Sequence, residues 1–404
     1  MACVPVARWA RCVGTVMLLG ATLVPPTGHA AVAVPPDYAR TYQELQSRLD
    51  RFDALLAGRL REGAAVVIYG AELITANAHR GEELLTEAGS QGNLMFLDRL
   101  QSLGVKGVTV KVAYPLLQPE FPRSAEYLAF YKKVAVEVRR RGLKLHVKTG
   151  PLFKEREFTS VRVDYSGLTP ERYFAERGRE ARLLVAELQP DYLTIANEPS
   201  TESGIVGFSI SPQRYVQFIN AVIQDVGRSS TLIGAGSGTW DDIAYVRSFA
   251  QNTTLDYIDL HIYPLASTGR DYLASAVEMI DLARRYNKKV IIGEFWLYKA
   301  SAAEVTGTPA AVEVFARDPF SFWSPLDQRM LEVVARLARW KQVEYVSPFW
   351  SKYFYGYLEY NDSTRILSAL QLTRLANVEA TKNIAAGTLS PTGLKYRQII
   401  RGSN

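Results

Sequence analysis

Cysteine is almost missing from this chain. Of 404 residues only two are cysteines, Cys3 and Cys12, and both sit in an amino-terminal stretch that reads as a leader. The rest of the chain therefore has no thiol for a disulfide, a covalent nucleophile or a sulfur-bound metal. Histidine is scarce as well, four in all. His29 belongs to the leader, and His79, His146 and His261 show no His-x-x-x-His spacing, so no metal centre is expected. No Gly-x-Gly-x-x-Gly follows the first β-like run, and no other cofactor fingerprint is present. Beyond the leader there is no apolar run of the roughly 20 residues that cross a bilayer. Charge of one sign is not concentrated anywhere. Setting aside Arg8 and Arg11 lowers the formal charge from +6 to +4, and what remains is spread along the chain, unlike a nucleic-acid footprint. Hydrophobic residues at 48% and charged residues at 22% exclude wholesale disorder.

The leader is read from its three parts. Arg8 and Arg11 supply a positive start, residues 13–24 an apolar centre, and Pro25-Pro26 a helix stop. Gly28-His29-Ala30 then offers small residues for a signal peptidase, with Ala31-Val32-Ala33 as a second cutting point. The alternative, a membrane anchor, needs a longer apolar run. The expectation is a signal peptide over 1–30, a mature domain over 31–404, and a secreted or periplasmic product without a membrane partner.

Past the leader, a helical stripe of Tyr42, Leu45, Leu49, Phe52 and Leu56 predicts an extra helix over about 38–60. A regular alternation follows. β-like runs fall at 65–71, 105–114, 144–149, 192–196, 231–235, 257–262, 289–295 and 344–349. Amphipathic segments at 125–141, 170–188, 212–226, 272–286 and 325–341 lie between them. Eight strands with helical connections predict an α/β fold of the (β/α)8, or TIM, barrel type as one domain with long loops. An open doubly wound sheet is the runner-up.

Parallel strands buried on both faces should be apolar throughout, yet three of these are not. His146 and Lys148 alternate with Leu145 and Val147; Asp259, His261 and Tyr263 alternate with Ile258, Leu260 and Ile262; Thr109 and Lys111 alternate with valines. A period of two puts each polar set on one face, pointing into the barrel. Ionisable groups inside a barrel cost desolvation, and in this fold the strands' carboxyl ends hold the active site. Two glutamates stand at such ends: Glu198 in Leu-Thr-Ile-Ala-Asn-Glu-Pro, fourth strand, and Glu294 in Val-Ile-Ile-Gly-Glu-Phe-Trp, seventh strand. Pro199 disfavours helical backbone at Glu198 and predicts that the strand runs through it. Either carboxyl alone could be a structural hydrogen-bonding group. Together they form the pair that glycoside hydrolysis uses.

Asn197-Glu198-Pro199, His261-x-Tyr263-Pro264, Gly293-Glu294-Phe295-Trp296 and Phe349-Trp350, in this order at strand ends four, six, seven and eight, resemble the clan A glycoside hydrolases, the group of cellulases, mannanases and galactanases. The likeness touches nearly the whole mature chain and implies an exported retaining β-glycosidase with an oligo- or polysaccharide substrate. Under it Glu198 is the acid/base and Glu294 the nucleophile. Asn197 hydrogen-bonds the sugar 2-hydroxyl, Tyr263 orients the nucleophile, His261 bonds substrate or acid/base, and Trp350 is the platform under the reacting sugar. Trp296, beside the nucleophile, joins the substrate-binding rings. Two positions depart from the clan: Lys111 replaces an arginine many families carry on strand two, and Lys148-Thr149-Gly150 replaces a His-Asn or similar pair after strand three. Lys111 and Lys148 are counted with the substrate-binding residues, either one able to keep Glu294 ionised. Two rival readings stay open, a carbohydrate-binding barrel without catalysis and an unrelated barrel enzyme using acid/base chemistry. Most other loop aromatics, such as Phe315, Phe320, Phe322, Trp323 and Tyr360, are expected to pack the loops.

Overall fold

The computed structural model describes residues 33–59, 66–307 and 310–402; the leader over 1–30 lies outside the described residues. Eight parallel strands close on themselves: β1 (Ile68–Glu72), β2 (Gly107–Lys111), β3 (Lys144–Lys148), β4 (Tyr192–Thr194), β5 (Leu232–Gly238), β6 (Tyr257–Ile262), β7 (Lys289–Phe295) and β8 (Tyr345–Pro348). Each pairs with its neighbour in chain order, and β1 closes on β8 through Ile68↔Tyr345 and Tyr69↔Val346. This is the (β/α)8 barrel that the eight runs predict. A two-residue antiparallel ribbon, Ala266–Ser267 with Arg270–Asp271, follows β6 outside the barrel.

The helices are α1 (Pro36–Ala57), α2 (Glu87–Leu103), α3 (Ser124–Arg140), α4 (Pro170–Leu188), α5 (Pro199–Val206), α6 (Pro212–Val226), α7 (Ile243–Asn252), α8 (Tyr272–Arg285), α9 (Ala302–Thr306), α10 (Ala311–Phe315), α11 (Ser324–Trp340), α12 (Ala369–Ala386) and α13 (Pro391–Arg401). Several start where a hydroxyl cap precedes a proline. Thr169 accepts from Arg172 N ahead of Pro170, and Ser211 from Arg214 N ahead of Pro212. In α1 the expected stripe buries Leu45, Leu49, Phe52 and Leu56, against α11. Arg336 and Arg329 of α11 reach Asp53 at 2.5 and 2.7 Å. Among the described residues no helix is long and apolar enough to cross a membrane.

The barrel is filled in layers. At the bottom Tyr192, Tyr257, Ile291 and Tyr345 form a closed apolar cluster. Above it Thr109, His146, Thr194 and Asp259 share hydrogen bonds: Thr109 Oγ1 with His146 Nδ1 at 3.1 Å, His146 Nε2 with Thr194 Oγ1 at 2.9 Å, and Thr194 Oγ1 donating to Asp259 Oδ2 at 2.8 Å. The alternating polar residues of β2, β3 and β6 therefore point inward, while Leu145, Val147, Ile258, Leu260 and Ile262 are buried in the main core. A polar middle layer is stable because its members satisfy one another. The cleft opens above it.

One expectation is corrected at β4. The strand stops at Thr194 rather than running through Glu198, whose extended backbone (φ −138°, ψ 81°) instead leads into α5. Pro199 still excludes helical backbone at Glu198, but it does so as the first residue of a helix, a position that suits its fixed φ.

Candidate active site

The carboxyl ends of β1, β2, β3, β6 and β7, with the turn after β4, bring Glu72, Lys111, Lys148, His261, Glu294 and Glu198 to one rim. Asn77, His79, Lys111, Asn197, Glu198, Glu294 and Phe349 line a narrow cleft there. Glu294 leans on three groups. Lys148 Nζ and Tyr263 OH both donate to its carboxylate, and His261 Nδ1 lies 3.9 Å from its Oε2. Burial alone would raise its proton affinity. The Lys148 charge, then the His261 charge and the two hydrogen bonds, outweigh that and hold the Glu294 carboxyl well below the usual carboxylate range.

Lys148 is fully buried and also meets Glu72 Oε2 at 3.0 Å; Glu72 Oε1 accepts from Asn77 Nδ2 at 3.2 Å. Burial opposes the lysine's charge, but its two carboxylates raise its pKa. Between those two carboxylates the field is unequal. Burial pushes Glu72 up to about 7 despite Lys148, and the neighbouring Glu294 charge adds to the rise. So the lysine chiefly serves Glu294.

Glu198 makes its own pair, with Oε1 2.6 Å from His261 Nδ1. Burial would lower His261, but Glu294, Asp259 and Glu198 together lift it to about 10. The imidazole thus holds a proton against Glu198. Asp259 anchors this face from below and accepts from Gly293 N at 2.8 Å. A Cβ at Gly293 would fall 2.5 Å from Asp259 Oδ1; a side chain there would displace the carboxylate under the site.

Asn197 is set by Glu202, a buried carboxylate of α5. In the orientation that satisfies its amide, the nitrogen donates to Thr149 O at 2.9 Å and to Glu202 Oε1 at 3.1 Å. Glu202 also accepts from Tyr173 and Tyr215 at 3.0 Å each and pairs with Arg177 at 3.2 Å. The amide carbonyl is left as the free acceptor.

The structure thus brings Asn197, Glu198, His261, Tyr263, Glu294, Lys111 and Lys148 together. Trp296 is corrected. Its ring is 1% exposed and packs against Tyr353 and Phe354, with Lys299 Nζ 5.3 Å from its centroid. The backbone stays paired beyond Glu294, Trp296 N donating to Ile262 O at 3.1 Å, but the ring itself is buried in the main core. Trp350 packs against Phe349, their centroids 4.6 Å apart, with Lys352 Nζ 4.8 Å from the Trp350 ring; the phenyl rings that line the cleft are Phe153 and Phe349. Phe315 of α10 sits edge-on to Tyr263 at 6.1 Å, Trp350 at 6.1 Å and Phe158 at 5.6 Å. Glu72, Asn77 and His79 were not expected from the sequence. Glu72 lies one residue past the predicted first strand, and that strand's two-residue period (Ile68, Gly70, Glu72) is the signal that could have found it.

One oxygen each of Glu198 and Glu294 and one nitrogen of His261 lie within 4.8 Å of one another. Three such atoms could face a cation. Here Lys148 and the proton-bearing His261 already neutralise the two carboxylates, so a metal would compete with two resident positive charges.

These features define a (β/α)8 barrel with a two-carboxylate cleft at its carboxyl face. No protein-family profile matches the sequence, and no curated protein is significantly similar to it. Among solved structures the chain is similar to the exo-β-1,4-mannosidase Op5Man5 from Opitutaceae bacterium strain TAV5, at 15% identity and a TM-score of 0.54, over 85% of this chain and 60% of that one. It also matches the virulence factor SghA from Agrobacterium tumefaciens at 13% identity and a TM-score of 0.49, over 86% and 99% of the chains. Cel5A from Thermotoga maritima, solved with mannotriose, matches at 13% identity and a TM-score of 0.47, over 79% and 97%. At these identities the likeness is one of fold.

Proposed function

We propose that the chain is an exported retaining β-glycoside hydrolase acting on an oligo- or polysaccharide. The observation that carries this reading is the spacing of two unlike carboxylates. Oxygens of Glu198 and Glu294 lie within 4.8 Å, which suits a retaining pair, about 5–5.5 Å apart, better than an inverting pair, about 6.5–9.5 Å apart, that must hold a water between its members. Glu294, kept anionic by Lys148, attacks the anomeric carbon. Glu198, in its protonated form, gives its proton to the leaving oxygen and then takes one from the water that releases the sugar. The free carbonyl of Asn197 accepts from a sugar hydroxyl. Export rests on the leader alone; amino-terminal sequencing of secreted protein should begin at or near Ala31, and an intact Met1 would overturn it.

Azide rescue of two variants tests the roles. With an aryl glycoside, Glu198→Ala should release β-azide through an intact glycosyl-enzyme, and Glu294→Ala should release α-azide by direct displacement. Swapped products would exchange the two assignments. Turnover unaffected by either change would end the glycosidase reading and favour one of its rivals.

A further inference from the structure

Three of the cations at the cleft each touch a carboxylate, and a fourth does not. Lys148 lies between Glu72 and Glu294. His261 lies 2.6 Å from Glu198, and Arg177 lies 3.2 Å from Glu202. Lys111 is the exception. It ends β2, in register with Lys148 on β3, and its ammonium group has no hydrogen-bond or ion-pair partner among the described residues. It is nevertheless in the cleft wall, beside Asn77, His79 and Asn197. Gly150 borders it. A Cβ at Gly150 would stand 2.6 Å from Lys111 Nζ and 3.3 Å from the Asn197 side-chain amide, so glycine at this position leaves room for the ammonium where it lies. Close by, His79 Nδ1 is buried without a partner, its ring stacked on Phe153 at 4.9 Å.

An unpaired ammonium in a low-dielectric wall is costly to keep charged. Burial and the like charge of Lys148 both act against it, and the carboxylates of Glu294, Glu198 and Glu202, none of which touches it, offset them only in part, so its pKa stays lowered. A neutral sugar would leave that cost in place, whereas a carboxylate or ester anion on the sugar would remove it. We propose that Lys111 selects substrates whose sugar carries an anionic group, a hexuronic acid in the first instance. The inference rests on the glycosidase reading and names the substrate class of the same site.

The test compares matched aryl β-glycosides that differ only in charge: glucoside with glucuronide, galactoside with galacturonide, mannoside with mannuronide, and glucoside with its 6-sulfate. The expected result is at least about 100-fold higher kcat/KM for the acidic member of one pair, because a site built for a polar group rejects an analogue lacking it by large factors. The sulfate pair tells a general anion site from one for carboxylates. Lys111→Met should collapse the ratio toward one, and Lys111→Arg should preserve most of it. Neutral pairs hydrolysed as well as acidic ones, with a ratio that Lys111→Met does not change, would overturn the inference and leave the glycosidase standing. A second readout is independent of turnover. Free hexuronic acids should raise the melting temperature of the wild-type protein and of Lys111→Arg but not of Lys111→Met, with neutral hexoses giving a smaller rise. If no glycoside is hydrolysed and no acidic sugar shifts the melting temperature, both proposals fail. If acidic sugars bind and nothing is hydrolysed, only the catalytic reading fails.

Discussion

Two buried lysines in this barrel each stand between two carboxylates, and they do opposite things. Lys299, in the segment after β7, meets Asp318 at 2.8 Å and Asp327 at 2.6 Å. All three are shut off from solvent, Tyr357 donates to Asp327 at 3.0 Å, and Trp296 lies against the lysine. Burial raises both aspartates, Asp327 to about 7. Lys148 has the same arrangement with Glu72 and Glu294, but 12% of the Glu294 side-chain surface is open to the cleft. Tyr263 and His261 join Lys148 in holding Glu294 low. A lysine between two acids is a fastener when sealed and a charged centre when one acid faces a cleft.

Exchanging the two lysines for methionine should separate these roles most strongly. Lys299→Met leaves two buried acids without a cation and should cost about 3–5 kcal/mol of stability, seen as a lower denaturation midpoint, with kcat per folded molecule unchanged. Lys148→Met should lower kcat by about 100- to 1000-fold. It should also move the acid limb of kcat/KM to higher pH, since Glu294 loses the charge that keeps it ionised. A limb that stays in place would show that Lys148 only supports the rim.

Stability should also depend on pH in opposite senses at the two sites. Asp327 has a folded pKa above its unfolded value of about 3.9. Its contribution is full below that value and is lost as pH rises through about 7. Glu294 has a depressed folded pKa, so its contribution is full above its unfolded value of about 4.3 and is lost as pH falls through the lower folded value. Urea midpoints across pH should show Asp327→Asn flattening the neutral-side decline and Glu294→Gln flattening the acid-side one. The same slopes in both variants would show that other groups set them.

The smallest contrast is between rings. Phe349→Ala should lower kcat/KM by up to about 10-fold through lost stacking in the cleft. Trp296→Phe should change kcat/KM little and lower stability by about 1 kcal/mol. Equal effects on turnover would place Trp296 nearer the substrate than its burial allows.

What the sequence reveals follows from period and punctuation. Polar residues at every second position of β2, β3 and β6 point to an interior that really is polar. Proline and hydroxyl caps mark α4 and α6 closely. Glu198 and Glu294 are legible because each ends a short apolar run. Glu72 ends a run too, but no turn residue or motif follows to single it out. Trp296 fails for a different reason: residues just past a strand have no fixed period, so nothing local says whether the chain turns toward the cleft or the core. The choice of Lys148 over Lys111 as the support for Glu294 depends on register between strands, which one strand alone cannot supply.

The closure of β1 on β8 bears on how this chain reaches its fold. Asp53 of α1 meets Arg336, 283 positions later, and Tyr396 of α13 donates to Gly70 O of β1 at 2.6 Å across 326 positions. Contacts this distant in sequence carry a large loop-closure entropy and delay the rate-limiting ordering of a chain. The first strand has β2 on one side from early in the chain, but its other side and the packing face of α1 wait for β8 and α11. Closure of the barrel therefore depends on its most distant contacts, and the two ends of the chain support each other.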